Sequence, residues 1–182
     1  MLRNSSTSYG LISIFLHWSM AALLVGLFVI GLWMVELNYY DDWYHQAPQL
    51  HKSLGLLVIA MWFVRLLWRL FDRLPEPEAN IKIRELRLAK AMHRFFYVLI
   101  FLLVFAGYMI TTGEDAGIEF FGLFEVPAIF SAVEEQADVA GWIHWALSWL
   151  LMICVLLHTS AALLHHYSYR DRTLLKMLGR KP

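Results

Sequence analysis

Four apolar stretches, each long enough to cross a bilayer as a helix, constrain this chain more than anything else in it. They run from about Leu11 to Val35, His51 to Phe71, His93 to Thr112 and Gly141 to Tyr167, and a bilayer core takes roughly 20 helical residues to cross. Lipid offers bare backbone no hydrogen-bond partner, so the spans must be helical. The expected fold class is therefore all-α, an integral membrane four-helix bundle, read as a single domain over residues 1–182. Composition agrees: 59% of residues are hydrophobic and only 16% are charged, where a soluble domain is nearer half apolar and about a quarter charged. The breaks are equally legible. Asn38 to Pro48 is polar and aromatic, Leu74-Pro75-Glu76-Pro77 stops the second span, and Gly113 to Ala140 is a long acidic loop holding Gly113, Gly117, Gly122 and Pro127. The first apolar run is too long for a signal h-region and lacks a small-residue exit, so no cleavable signal is expected. Formal net charge is zero, which gives no reason to expect nucleic acid as a partner.

That zero conceals a segregation of charge that sets the orientation. Cytoplasmic loops of membrane proteins carry the excess of Lys and Arg. Arg3 lies before span one. Arg65, Arg69, Arg73, Lys82, Arg84, Arg87, Lys90 and Arg94 lie around the junction of spans two and three, and Arg170, Arg172, Lys176, Arg180 and Lys181 lie in the tail. The other two loops hold Glu36, Asp41, Asp42, Glu114, Asp115, Glu119, Glu125, Glu134, Glu135 and Asp138, with no Lys or Arg. Every basic residue except Lys52 thus falls on one side. Both termini are expected in the cytoplasm and both acidic loops outside. Tyr39, Tyr40, Trp43 and Tyr44 suit an outer aromatic belt, and Trp68, Tyr167 and Tyr169 an inner one. Ile81 to Met92, short, basic and partly apolar, reads either as a helix lying in the inner interface or as a solvated basic loop.

Within this frame the histidines carry the chemistry. Ionisable groups in a span are costly and are functional candidates by default. Span one runs outward, so His17 is near its cytoplasmic end. Span two runs inward from His51, near the outer surface. Span four runs inward from His144 to His158, fourteen residues on, which is about 21 Å of helix at 1.5 Å per residue. Fourteen residues is close to four turns, so both rings leave one face of the helix. The depths pair His51 with His144 outside and His17 with His158 inside. Neutral imidazole is a common ligand of haem iron, and two axial imidazoles leave no open position. Such an arrangement favours electron transfer over oxygen chemistry. A porphyrin against a helix needs a small residue about one turn from its ligand. The residues four further on are Ala21, Gly55, Ser148 and Ala162.

Other uses of these residues are weighed on the same terms. A membrane histidine can serve as an interhelical hydrogen-bond donor. Zinc wants tetrahedral clustering, not two pairs about 20 Å apart. His45 reads as a loop histidine, His93 as interfacial, and His165 and His166 as the polar end of span four. Met20, Met61, Met109 and Met152 read as packing. The single cysteine, Cys154, rules out an intrachain disulfide and a C-x-x-C-H haem attachment, so any haem would be held by coordination alone.

The chain resembles the bacterial cytochrome b561 family over nearly its whole length. The motifs that carry this are Ile14-Phe15-Leu16-His17-Trp18, Leu50-His51-Lys52-Ser53-Leu54-Gly55, Val64-Arg65-Leu66-Leu67-Trp68-Arg69-Leu70 and Trp142-Ile143-His144. To these add Leu157-His158, Ala161-Ala162-Leu163-Leu164-His165-His166-Tyr167, Asp171, Leu174-Leu175 and Met177. The resemblance implies a multi-pass protein of the bacterial inner membrane with two haem b groups. His17 and His158 would hold the inner one, His51 and His144 the outer one. It also implies electron exchange with membrane quinone and, in some members, superoxide as the periplasmic donor. His165, His166, Arg94 and Ser13 are the candidates on the inner side for meeting a quinone head group.

The outer charge departs from what superoxide would want. Clefts that collect an anion are lined with positive charge, and here Lys52 is the lone basic residue outside. An acidic outer face better suits a cationic periplasmic electron-donor protein. The alternatives are an anchor subunit of a larger dehydrogenase or hydrogenase and, from another class, a haem-free transporter or adaptor using membrane histidines.

Overall fold

A computed structural model describes residues 1–78, 81–113, 116–129 and 135–180. Four long helices dominate: α1 (Leu11–Met34), α2 (Gln46–Phe71), α3 (Ile83–Thr112) and α4 (Gln136–Tyr167), followed by a short α5 (Thr173–Met177). The first four are long and apolar enough to cross a membrane. Little of their apolar surface is used inside the protein. In α2 only 6% of the most hydrophobic window is buried, and Leu70, Phe71, Phe15 and Val29 stand well exposed. In water such faces would be unsupportable; in lipid they are the solvent-matched surface. The sequence-based fold class, a four-helix membrane bundle, is the architecture found.

Each helix gives the interior one narrow stripe. On α1 it is Leu16, Met20, Leu24 and Leu27, the three- and four-residue spacing that puts side chains on one face. On α3 it is Leu99, Ile100, Leu103 and Ala106. Val58 of α2 and Leu151 of α4 complete the central cluster. Backbones approach most closely between α3 and α4, α1 and α2, and α2 and α3. α4 meets α1 and α2 through rings: Phe28 on Trp149 at 5.0 Å, and the histidines described below.

Two elements differ from the sequence-based reading. Ile81 to Met92 is neither an interfacial helix nor a loop. From Ile83 it is the first part of α3, continuous with the span. No Gly or Pro interrupts it, its Arg, Leu, Lys, Glu and Ala are good helix formers, and Glu85 accepts the Lys82 backbone N–H at 3.2 Å to close the helix start. Second, the acidic loop after α3 holds a hairpin, β1 (Ile118–Phe120) and β2 (Phe124–Val126), paired antiparallel with Glu119 opposite Glu125. Its turn takes positive φ at Phe121 and Gly122, the form whose twist matches a hairpin. Ser53 of α2 anchors it, donating to the Glu119 carbonyl at 3.0 Å and accepting from the Phe121 N–H at 3.2 Å. Of the acidic residues counted above, Glu114, Asp115 and Glu134 lie outside the described residues, as does Lys181 of the tail.

At the opposite end the N-terminal segment, the α2–α3 connection and the tail are tied together. The Asn4 N–H donates to Asp72 at 3.1 Å and its side chain to the Arg73 carbonyl at 2.8 Å. The Glu76 N–H donates to the Ser6 carbonyl at 2.8 Å. Lys176 meets Glu78 at 2.6 Å, and the Trp18 indole donates to the Met177 carbonyl at 2.9 Å. The described residues at the two ends of the chain therefore share one end of the bundle with its basic connection.

Candidate functional site

His17 stands on α1, His51 on α2, and His144 and His158 on the uninterrupted α4, so the rise of an ideal helix holds between the last two. Their rings face those of the other two across the gap between α4 and the α1–α2 pair. His17 and His158 have ring centres 6.3 Å apart with planes at 69°. His51 and His144 have centres 6.2 Å apart at 72°. A first-row metal ion sits about 2 Å from a coordinating imidazole nitrogen, and that nitrogen about 1.1 Å from its ring centre. Two imidazoles on opposite sides of one ion are thus about 6.2 Å apart, centre to centre. Both pairs have that spacing. Among the described residues no three or more His, Cys, Asp or Glu converge as a metal cluster.

The surroundings of the rings are specific. His144 Nδ1 is 2.9 Å from the Leu103 carbonyl and must donate to it, which leaves Nε2 as the nitrogen with a lone pair. His51 Nδ1 is buried and turned towards the Leu27 carbonyl without closing a hydrogen bond of normal geometry. At His17 the neighbour is a cation: Arg65 Nη2 lies 3.1 Å from Nδ1. Guanidinium only donates, so Nδ1 accepts there and a neutral ring carries its proton on Nε2, the opposite tautomer to His144; a metal held at Nε2 would require that proton to leave or Arg65 to turn away. Glycines on neighbouring helices let the outer pair in. A Cβ at Gly107 of α3 would stand 3.1 Å from the His144 ring, and one at Gly31 of α1 would stand 3.3 Å from that of His51. A Cβ at Gly55, one turn after His51, would meet no described atom within 4 Å.

Two imidazoles at this spacing, with bare helix backbone at Gly55 beside one of them, would fit an iron porphyrin between the rings of each pair. The comparison with known sequences agrees. Residues 8–180 match the family profile of prokaryotic cytochrome b561.

The chain belongs to that family. It is 41% identical over 177 residues to "Cytochrome b561 homolog 2" of Escherichia coli strain K12, covering 97% of this chain and 94% of the relative. It is 31% identical over 178 residues to "Probable superoxide oxidase CybB" of Yersinia pestis, covering 95% and 97%. As a cytochrome b561-family protein it is a multi-pass membrane electron-transfer protein, and b-type haem is the cofactor the family implies.

The remaining sequence candidates separate. His165, at the end of α4, lines a cavity of about 250 Å³ with Ile81, Lys82, Glu85, Tyr169 and Asp171. Its Nδ1 meets Asp171 at 2.5 Å. His166, Arg94 and Ser13 are not in that lining. His166 Nδ1 is buried without a partner, Arg94 is exposed, and the Ser13 hydroxyl accepts the Trp68 indole N–H at 3.0 Å. Several residues of this cytochrome b561-family protein escaped sequence reasoning. Gly31 and Gly107 were legible in principle, since glycine inside a helix asks for a reason. Arg65 counted only as one of the basic residues that orient the chain. His93, read as interfacial, sets its ring 5.4 Å from that of His158. A second cavity, about 350 Å³, opens beside the start of α2 and is lined in part by Gln46, Gln49, Ser53 and Glu119.

Proposed function

We propose that this protein is a dihaem cytochrome of the bacterial inner membrane that passes electrons between a periplasmic redox species and membrane quinone. His17 and His158 would hold the inner haem b, His51 and His144 the outer one. The observation that carries the reading is the pair of imidazole couples at 6.3 and 6.2 Å, set fourteen residues apart on one face of α4. Bound there, each haem would supply a one-electron couple. The chain's own part is to fix ligand geometry, keep water from the apolar interior and separate the two sites by about 21 Å of helix. Charge supports both termini being cytoplasmic, so His165 and its cavity would face the inner leaflet, where a quinone ring can enter. At about 250 Å³ that cavity is below the roughly 300 Å³ of pockets for drug-sized ligands. It suits one head-group ring and not the apolar tail, which would lie in lipid.

For the donor, the Yersinia relative carries superoxide in its name. Glu119 and Glu125, side by side and exposed on the hairpin, lie on the acidic face that repels such an anion and attracts a cation. We therefore take a cationic donor protein as the partner. Haem quantified per chain in the purified protein, beside its reduced-minus-oxidised spectrum, tests the core of the proposal: about two haems are expected, and a protein saturated at one would overturn it. Replacing Gly107 with Leu is expected to push the His144 ring aside and halve the haem content. A Gly107→Leu protein with full haem would mean that His144 is not a ligand.

A further inference from the structure

We propose that Asp171 is a positioning residue for proton transfer, holding His165 so that its Nε2 serves the quinone cavity. The inference rests on the quinone reading above and adds the residue that would make His165 act there.

The local chain is built to bring Asp171 back to His165. After α4 the backbone reverses at Arg170, which takes a φ of 54°, a left-handed conformation that a side chain disfavours. The reversal is held by three hydrogen bonds. The Asp171 N–H donates to the His165 carbonyl at 3.1 Å. Asp171 Oδ2 receives His165 Nδ1. Asp171 Oδ1 accepts the Thr173 N–H at 2.9 Å and so starts α5. The Asp171 side chain is 1% exposed and that of His165 17%. Both line the same cavity. A structural cap for α5 needs only Oδ1; the second oxygen is committed to the ring.

Burial raises the Asp171 carboxyl, but the Thr173 N–H and the His165 ring together bring it below the ordinary value. Its contribution is therefore complete above about pH 4 and is lost only as the pH falls through that lower value. An ionised carboxylate accepts and never donates, so Nδ1 carries a proton and Nε2 is the nitrogen that changes state. The other polar groups of the cavity are Lys82 just before α3, Glu85 in its first turn and Tyr169, whose ring meets that of His165 edge-on at 5.1 Å.

The chemistry balances as follows. A quinol becoming a quinone gives up two electrons and two protons. Neutral His165 takes one proton at Nε2, and the resulting cation is held by Asp171. The second proton leaves to cytoplasmic water, and the electrons pass singly along the route proposed above. Quinone reduction is the reverse, with His165 donating from Nε2.

Asp171→Asn is the informative change. It keeps the size and an acceptor for Thr173, since Asn caps helices as well as Asp, but it presents an amide to the ring. The haem-loaded protein would be mixed rapidly with a short-chain quinol and haem reduction followed by absorbance from pH 5 to 9. The limiting rate should fall at least roughly tenfold, the lower side of what a positioned acid–base group contributes, with the half-saturating quinol concentration little changed. The pH profile should shift, and Asp171→Glu should recover part of the rate. Nitrogen-15 spectra of labelled histidine should show one ring leaving the Nδ1–H form in Asp171→Asn, while haem content stays as in the parent. An unaltered rate and pH profile in Asp171→Asn beside a slow His165→Gln would make Asp171 a cap and overturn the proposal. Fast reduction in both variants would mean that quinol reacts elsewhere, and the quinone reading of this cavity would fall with it.

Discussion

Replacing His51 with Ala is expected to remove one of two haems and leave the other in place, and replacing His158 with Ala to do the same at the opposite end. Each variant should keep about half of the visible absorbance and show one redox transition where the parent shows two. The separation of the pairs is the reason to expect independence. His144 and His158 are about 21 Å apart on α4, well beyond the 7–10 Å or so past which substitutions usually act additively. Loss of one histidine of a pair would leave a haem there with one protein ligand and a gap where the ring packed. The helices themselves should survive, because their backbone bonds are internal and most of their apolar surface faces outward. His45→Ala is the matched control, since that residue is exposed in the turn before α2 and should change neither haem content nor spectrum. Loss of both haems in either single variant would show one shared site, and loss in neither would remove these histidines as ligands.

Electron exchange with a lysine-rich soluble redox protein is expected to slow steeply with salt. Electrostatic steering raises association rates by about 10–10³, and the Debye length shrinks from about 10 Å at 0.1 M to about 3 Å at 1 M ionic strength. The second-order rate should therefore drop by at least roughly tenfold over that range. Reversing the hairpin charges, Glu119→Lys with Glu125→Lys, should lower the rate at low salt and flatten its salt dependence. The two carboxylates face each other across β1 and β2, where like charges are mutually unfavourable, so the change costs the hairpin nothing by charge repulsion that it does not already bear. An anionic donor would give the opposite sign, with rates rising as salt screens the acidic face. A flat response to salt would remove charge as the basis of partner choice.

The bundle was legible because its cause is local and one-dimensional. A run of apolar residues long enough for a bilayer names a span wherever it occurs, and Leu74-Pro75-Glu76-Pro77 ends one without help from the rest of the chain. Helix boundaries were less legible. The amphipathic start of α3 and the first turns of α2 and α4 extend beyond the apolar runs, because polar residues continue a helix as readily as apolar ones once it has begun. The hairpin was missed because it is short and is held by Ser53, a residue distant in sequence.

The candidate site divides along the same line. Depth along each span follows from counting residues, so the grouping of His17 with His158 and of His51 with His144 came from the sequence before any coordinates. What surrounds each ring did not. The Leu103 carbonyl at His144, the Arg65 guanidinium at His17, the His93 ring beside His158 and the bare backbone of Gly107 all belong to other helices, and which face of one helix meets which face of another is settled by packing. Asp171 is the clearest instance. As a residue it is one more charge in a basic tail. Only the left-handed turn at Arg170 and the contact of that tail with the end of α4 make it the partner of His165. Sequence alone determined the spans, their order and the position of each histidine along them, because rise per residue and transfer to lipid are properties of a segment. Tertiary structure decided the hydrogen-bond partners, the close approaches and the cavities, because those arise only where segments meet.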